Sequence, residues 1–347
     1  MKFGVFFLCE QPPWQSPRAA FLDALDEAAY ADALGFDAVW VAEHHFSEYG
    51  TAPDVAVLAA ALAQRVTRMR IGTAVSILPF NHPVRTAESF AMIDVLCDGR
   101  LDFGVGRGYQ PGEFAGFGMP MEESRQRFDE SLEIIRRAWT TDRVTFEGKH
   151  FRVEDVRVLP KPVQKPHPPI WGAAVSPESF ERMGRAGLRV LSAPSITPPA
   201  LMAQSYQAYR QAWEAAGHPP ASLEIPALHF VYAGDSEARA RREPEQSAMW
   251  YFRTIAQLIA ADSGTVPADY DFYARARRHL LAVDYESLYR DVLLFGDSAR
   301  IVDRIARLRD ELGVTYLLCW MNFGGLARDL ARDSIRRFAE KVIPRFR

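Results

Sequence analysis

The sequence predicts a (β/α)8 TIM barrel with insertions, an α/β fold spanning residues 1–347 as a single domain. Strand-like apolar runs alternate with helical segments about eight times, with no intervening linker that reads as a domain boundary. The residues able to do chemistry gather where those runs end. That arrangement favours a closed barrel over an open doubly wound sheet.

Lys2 to Leu8 is a compact apolar first strand, and Gln11-Pro12-Pro13 takes the chain out of the sheet. From Arg18 to Leu34 apolar residues recur at helical spacing until Gly35, which suits a C-terminal cap. Phe36 to Ala42 has the β-branched and aromatic content of a buried parallel strand; Glu43, His44 and His45 follow, and Ser47, Tyr49 and Gly50 open a loop. Asp54 can cap an alanine-rich helix running through Arg65, and Arg70 to Leu78 is a third strand. A helix from Pro83 to Leu96 leads to a fourth strand, Gly99 to Gly106, and another helix covers Ser124 to Trp139. Arg143 to Val158 reads as an excursion of extended segments, and a proline-dense stretch enters strand five, Ile170 to Val175. Gly187 to Leu191, Leu223 to Tyr232 and Thr315 to Met321 supply the remaining strands. Helices are expected over Pro199 to Ala216, Ala299 to Leu312 and Leu326 to Val342. The insertion, approximately residues 234–295, is charged and broken by Gly264, Pro267 and Asp269.

Hydrophobic residues make up 48% and charged residues 24%, an ordinary globular balance able to bury a sizeable core. A net charge of −3 offers no broad attraction for nucleic acid or an anionic membrane, so the expected partner is a small molecule. Three scattered cysteines, Cys9, Cys97 and Cys319, suggest neither a disulfide framework nor a zinc site. The chain enters strand-like sequence at once, without a signal-peptide pattern, and has no apolar span of roughly 20 residues. A cytoplasmic protein is the expectation.

Glu43, His44 and His45 are the catalytic candidates. Along an extended chain Glu43 and His45 share one direction and His44 takes the other, so one histidine points into the barrel mouth. The plainer alternative is a polar cluster that only ties neighbouring loops together. Adjacent ligands facing apart could not easily meet one ion, so no metal is expected. Gly104 to Tyr109 tempts a dinucleotide reading, but the third glycine falls one residue early and Pro111-Gly112 follows instead of a helix. What remains is a strand tip where backbone can approach a planar or anionic ligand, with Arg107 as a clamp, or simply a tight turn. Ser176 and Ser179, between strand five and a helix, could bind an anion or merely cap the helix. The arginine-rich runs Arg239 to Arg242 and Arg275 to Arg278 read as solvated faces or as a lid, and Trp250, Tyr251 and Phe252 as packing.

The stretch Val39 to Gly50 (VWVAEHHFSEYG) resembles the bacterial luciferase-like, flavin-dependent monooxygenase family, especially its luciferase α subunits. The likeness recurs at Gly72-Thr73-Ala74, Leu78-Pro79, His82 to Arg85, Gly99-Arg100, Phe103-Gly104, Arg107-Gly108 and Trp250-Tyr251. It covers nearly the whole chain and is weakest from Asp262 to Phe295. The resemblance implies a barrel binding reduced FMN, with O2 as co-substrate and a separate NAD(P)H flavin reductase supplying the flavin. It also implies a homodimer packed through early barrel helices.

By position it implies His44 as the catalytic histidine beside Glu43 and His45, and phosphate contacts at Arg107, Arg125, Ser176 and Ser179. Ala74-Val75 matches a non-prolyl cis peptide beneath the flavin, with Gly106, Tyr109, Ala174 and Val175 around it. Gly106 stands where luciferase has a reactive cysteine, Tyr109 where it has leucine and Val175 where an acid is usual, which argues against light emission and a long-chain aldehyde. Residues 265–286 match a mobile lid.

The expected activity is oxygenation of an apolar organic substrate through a flavin hydroperoxide. That chemistry needs dry walls, and an imidazole of ordinary pKa about 6.5 can exchange a proton near neutrality. The alternatives are a deazaflavin-dependent hydride-transfer oxidoreductase of the same fold, or a non-catalytic flavin-binding partner subunit.

Overall fold

The computed structural model describes residues 1–192, 197, 199–259, 267, 270, 277 and 280–347. The strands are β1 (Lys2–Phe7), β2 (Ala38–Val41), β3 (Arg70–Thr73), β4 (Ser76–Ile77), β5 (Leu101–Gly106), β6 (Val144–Glu147), β7 (Arg152–Val156), β8 (Ile170–Ala173), β9 (Arg189–Leu191), β10 (Pro226–Ala233), β11 (Leu294–Gly296) and β12 (Tyr316–Trp320). The parallel sheet runs β10-β12-β1-β2-β3-β5-β8-β9, and its ends meet where the Leu228 amide donates to the Ser192 carbonyl at 3.0 Å. These are the eight strands the alternation predicts, closed into a barrel.

The departures are local. The predicted strand Arg70 to Leu78 divides into β3 and β4 around the Ala74–Val75 peptide, which is cis. Arg143 to Val158 forms the antiparallel pair β6–β7, and β11, unforeseen within the insertion, extends β10 by pairing Leu294 with Val231. A short helix, Pro111–Gly116, follows β5 where the sequence reading expected none. Proline fits there because the first helical turn needs no amide donor from it.

Side-chain alternation sorts β1 into two layers. Phe3, Val5 and Phe7 pack under the surrounding helices, whereas Phe6 joins the barrel interior. Trp40 and Trp171 fill that interior edge to face with centroids 5.0 Å apart, and Trp40 Nε1 donates to Tyr316 Oη at 2.7 Å. A Cβ at Gly72 would come within 2.2 Å of the Trp40 ring, so only glycine leaves room for this plug. With its middle filled, the barrel keeps open space at the mouth where the strands end. Among the described residues, no helix is long and apolar enough to cross a membrane.

Candidate active site

A cavity of about 390 Å³ opens at that mouth. Of the residues singled out in the sequence, Glu43, His44, Ala74, Val75, Gly106, Arg107, Tyr109, Arg125, Ala174, Val175, Ser176 and Ser179 line it. His45 does not.

The difference between the two histidines follows from strand geometry. Beyond β2, Glu43 and His45 turn the same way, and His45 Nε2 lies 3.1 Å from Glu43 Oε1. The His45 ring sits edge-on against Phe117 at 4.7 Å and Phe80 at 5.7 Å, away from the cavity. Glu43 also accepts the Ile77 amide at 3.1 Å, so it ties the tip of β2 to β4. Burial raises its pKa, while the His45 and Ile77 bonds oppose that rise.

His44 takes the opposite direction and faces the cavity. Its Nδ1 lies 2.8 Å from Glu113 Oε1, and the same oxygen accepts the His45 backbone amide at 3.0 Å. With a ring proton on Nδ1 donated to the carboxylate, Nε2 is the ring nitrogen left to accept. Edge contacts with Tyr49 at 4.8 Å and Tyr109 at 5.7 Å hold the ring plane.

A second part of the cavity is cationic. Arg107, Arg125 and Arg182 all line it, and the pKa of Arg182 is lowered by burial first and by the neighbouring charge of Arg125 next. Arg107 lies over the Tyr270 ring at 4.9 Å. Beside them starts the helix Pro177–Arg185, capped by a reciprocal Ser176–Ser179 box. Ser179 Oγ accepts the Val175 and Ser176 amides at 3.1 and 3.0 Å and donates to the Ser176 carbonyl at 2.7 Å. The serines therefore cap the helix and line the cavity at once. Arg107 and Arg125 beside this helix start, with Arg182 farther along the same helix and lining the same cavity, suit a phosphate-sized anion.

Between these groups lies a shaped wall. A Cβ at Gly106 would meet Val75 Cγ2 at 2.5 Å, so a side chain there would crowd the cis Ala74–Val75 segment. The cradle, the apolar lining and the arginines together fit a planar ring system carrying a phosphate.

Sequence reasoning missed Glu113, Gln110 and Arg182, and it read Tyr251, which lines the cavity, as packing. An acid in the first turn after a strand tip was the available signal for Glu113. The run Arg239 to Arg242 is a solvated face: Arg239 pairs with Asp235 and Glu243, and Arg241 with Glu286. Most of the lid expected at 265–286, and Arg275 and Arg278 with it, lies outside the described residues. Arg277 donates to the Ala256 carbonyl at 3.0 Å.

A closed barrel whose mouth joins an arginine cluster to a carboxylate-held histidine in one cavity defines the class, a barrel protein with a ligand-sized space at its strand ends. More particularly, the chain belongs to the luciferase-like monooxygenase family, whose pattern it matches over residues 1–316. It is 26% identical to an alkanal monooxygenase alpha chain of Photorhabdus luminescens, over 99% of this chain and 96% of that one. It is 27% identical to the oxygenase component of a flavin-dependent trigonelline monooxygenase of Acinetobacter baylyi, over 100% and 96% of the two chains. The crystal structure of the monooxygenase RslO1 from Streptomyces bottropensis superposes with a TM-score of 0.87 at 33% identity, covering both chains fully. An F420-dependent secondary alcohol dehydrogenase shares the fold, with a TM-score of 0.78 at 19% identity over 100% of this chain and 99% of that one.

Proposed function

We propose that the protein is a two-component monooxygenase that uses reduced FMN and O2 to oxygenate an apolar organic substrate. The observation carrying this reading is that one cavity is lined by the Arg107–Arg125–Arg182 cluster and by the cavity-facing His44. The arginines and the Ser176 helix end hold the phosphate, and Ala74, Val75, Gly106, Ala174 and Val175 shape the space for the ring. Reduced flavin, when bound there, supplies the activation of oxygen. His44 Nε2 takes a proton from the reacting substrate and returns it, while Glu113 holds the imidazole in the required tautomer. Apolar and aromatic side chains around Tyr251 and Trp320 keep bulk water from the reacting atoms.

The flavin comes from a separate NAD(P)H flavin reductase, a reading supported by the likeness to the oxygenase component of the trigonelline monooxygenase. Exposed Val57, Met92, Val95 and Leu96, on two helices packed side by side, support a homodimer formed through those helices. A cytoplasmic location accords with the three buried free cysteines.

The test is anaerobic loading with reduced FMN, then mixing with oxygen under stopped-flow absorbance. The expected result is reoxidation of the bound flavin in more than one phase; a single phase matching free reduced FMN excludes the oxygenase. A second reading, hydride transfer with a deazaflavin, is favoured by the likeness to the F420-dependent fold neighbour. It predicts tight binding of reduced F420 and indifference to oxygen.

A further inference from the structure

Three phenols meet in the cavity wall. Tyr109 Oη donates to Tyr49 Oη at 3.3 Å, and Tyr49 Oη lies 3.0 Å from Tyr251 Oη. The chain of donors therefore runs from Tyr109 through Tyr49 toward Tyr251. A chain polarised in one direction is cooperatively strengthened. Tyr49 and Tyr251 between them own two hydroxyl protons and share one bond, so one proton is left over. Following the direction set by Tyr109, that proton belongs to Tyr251.

Its surroundings say what should receive it. The Tyr251 ring packs edge-on against Trp320 at 4.8 Å and against Phe230 at 4.8 Å, and Trp320 in turn lies 4.9 Å from Phe6. Phe6, Leu8, Leu228, Ile255, Leu318 and Trp320 line the cavity beside it. The Trp320 indole cannot serve as the donor, because its N–H is bonded to the Asn322 carbonyl at 3.0 Å. Burial pushes the ionisation of Tyr49 and Tyr251 well upward, so both hydroxyls keep their protons near neutrality. An apolar wall with one neutral donor rejects ions and rewards a lone acceptor oxygen.

The geometry points to an uncharged carbonyl compound with an aromatic or otherwise apolar frame as the substrate class, its carbonyl oxygen accepting the Tyr251 hydroxyl proton. This rests on the oxygenase reading given above and assigns Tyr251 as a specificity-determining residue, with Tyr49 and Tyr109 orienting its proton. A carbonyl held this way is polarised as well as positioned, because the donor withdraws electron density from its carbon.

The experiment titrates two probes into the full chain, with and without FMN: 2-acetylnaphthalene, and 2-isopropenylnaphthalene, in which a CH2 group replaces the carbonyl oxygen. The wild type should bind the ketone about five- to tenfold more tightly, the worth of one neutral hydrogen bond. Tyr251→Phe should bring the ratio close to one, and the double variant Tyr49→Phe/Tyr251→Phe also removes the proton that Tyr49 would then have to spare. The infrared carbonyl stretch of ketone bound to wild type should lie below its value in hexane, a readout that needs no variant. Equal binding of the two probes, no saturable ketone binding, or a preference that survives in the double variant overturns the proposal. No oxygen enters this measurement, so it fails or stands separately from the stopped-flow test of the oxygenase.

Discussion

Glu113 Oε1 stands 2.8 Å from His44 Nδ1 and also takes the backbone amide of His45, so one carboxylate oxygen fixes both the His44 ring and the strand tip that carries it. The second oxygen, Oε2, is buried without a hydrogen-bond partner among the described residues. That asymmetry commits the carboxylate to the histidine.

His44→Ala should therefore keep reduced-FMN affinity and lose about 100-fold or more in turnover, the usual weight of a general base. Glu113→Gln, which keeps the shape but not the charge, should lose about tenfold, since a positioning partner typically matters less than the base. Flavin affinity and steady-state oxygen consumption measured on both variants check this. Wild-type turnover in His44→Ala would remove the histidine from the mechanism.

The arginine cluster makes a prediction about binding alone. Arg107→Ala and Arg182→Ala should each weaken FMN by about 10- to 100-fold, the worth of a charge-assisted bond of about 1.5–3 kcal/mol. Riboflavin, which lacks the phosphate, should bind both variants as it binds wild type. Fluorescence titration of the two flavins separates these outcomes, and an unchanged FMN dissociation constant would refute the phosphate assignment.

Glu27 gives the fold a pH dependence. Burial raises its pKa to about 8, although the Asn322 amide donates to it at 2.8 Å. In the unfolded chain a glutamate titrates near about 4.3, so between that value and 8 the folded state holds the extra proton. The stabilisation from the protonated group is complete below the unfolded value and is lost as pH rises through the folded one. Glu27→Gln should thus gain little at pH about 4 and up to a few kcal/mol at pH about 8, at about 1.4 kcal/mol per unit. Chemical denaturation of both proteins at the two pH values reads the difference, and a gain independent of pH would count against this ionisation.

The exposed apolar side chains Val57, Met92, Val95 and Leu96, on two neighbouring helices, predict assembly. Met92→Lys should shift the protein from dimer to monomer in light-scattering chromatography, because an ammonium group buried at an interface core is strongly disfavoured. A monomeric wild type would dismiss the dimer.

The alternation of apolar strands and helices was readable residue by residue, because period-two and helical patterns are properties of neighbours along the chain. It yielded all eight barrel strands, and family likeness placed His44, Arg107, Arg125 and the Ala74–Val75 segment at the mouth. Local alternation even separated His44 from the Glu43–His45 pair, although not which side would face the cavity. What no local pattern contains is partnership at a distance. Glu113 is 69 positions from His44, and Tyr251 is 202 from Tyr49; nothing near either residue says which distant side chain it will meet. Closure of the barrel brings those segments to one rim, and packing around the Trp40 plug then decides which side chains point into the space left over.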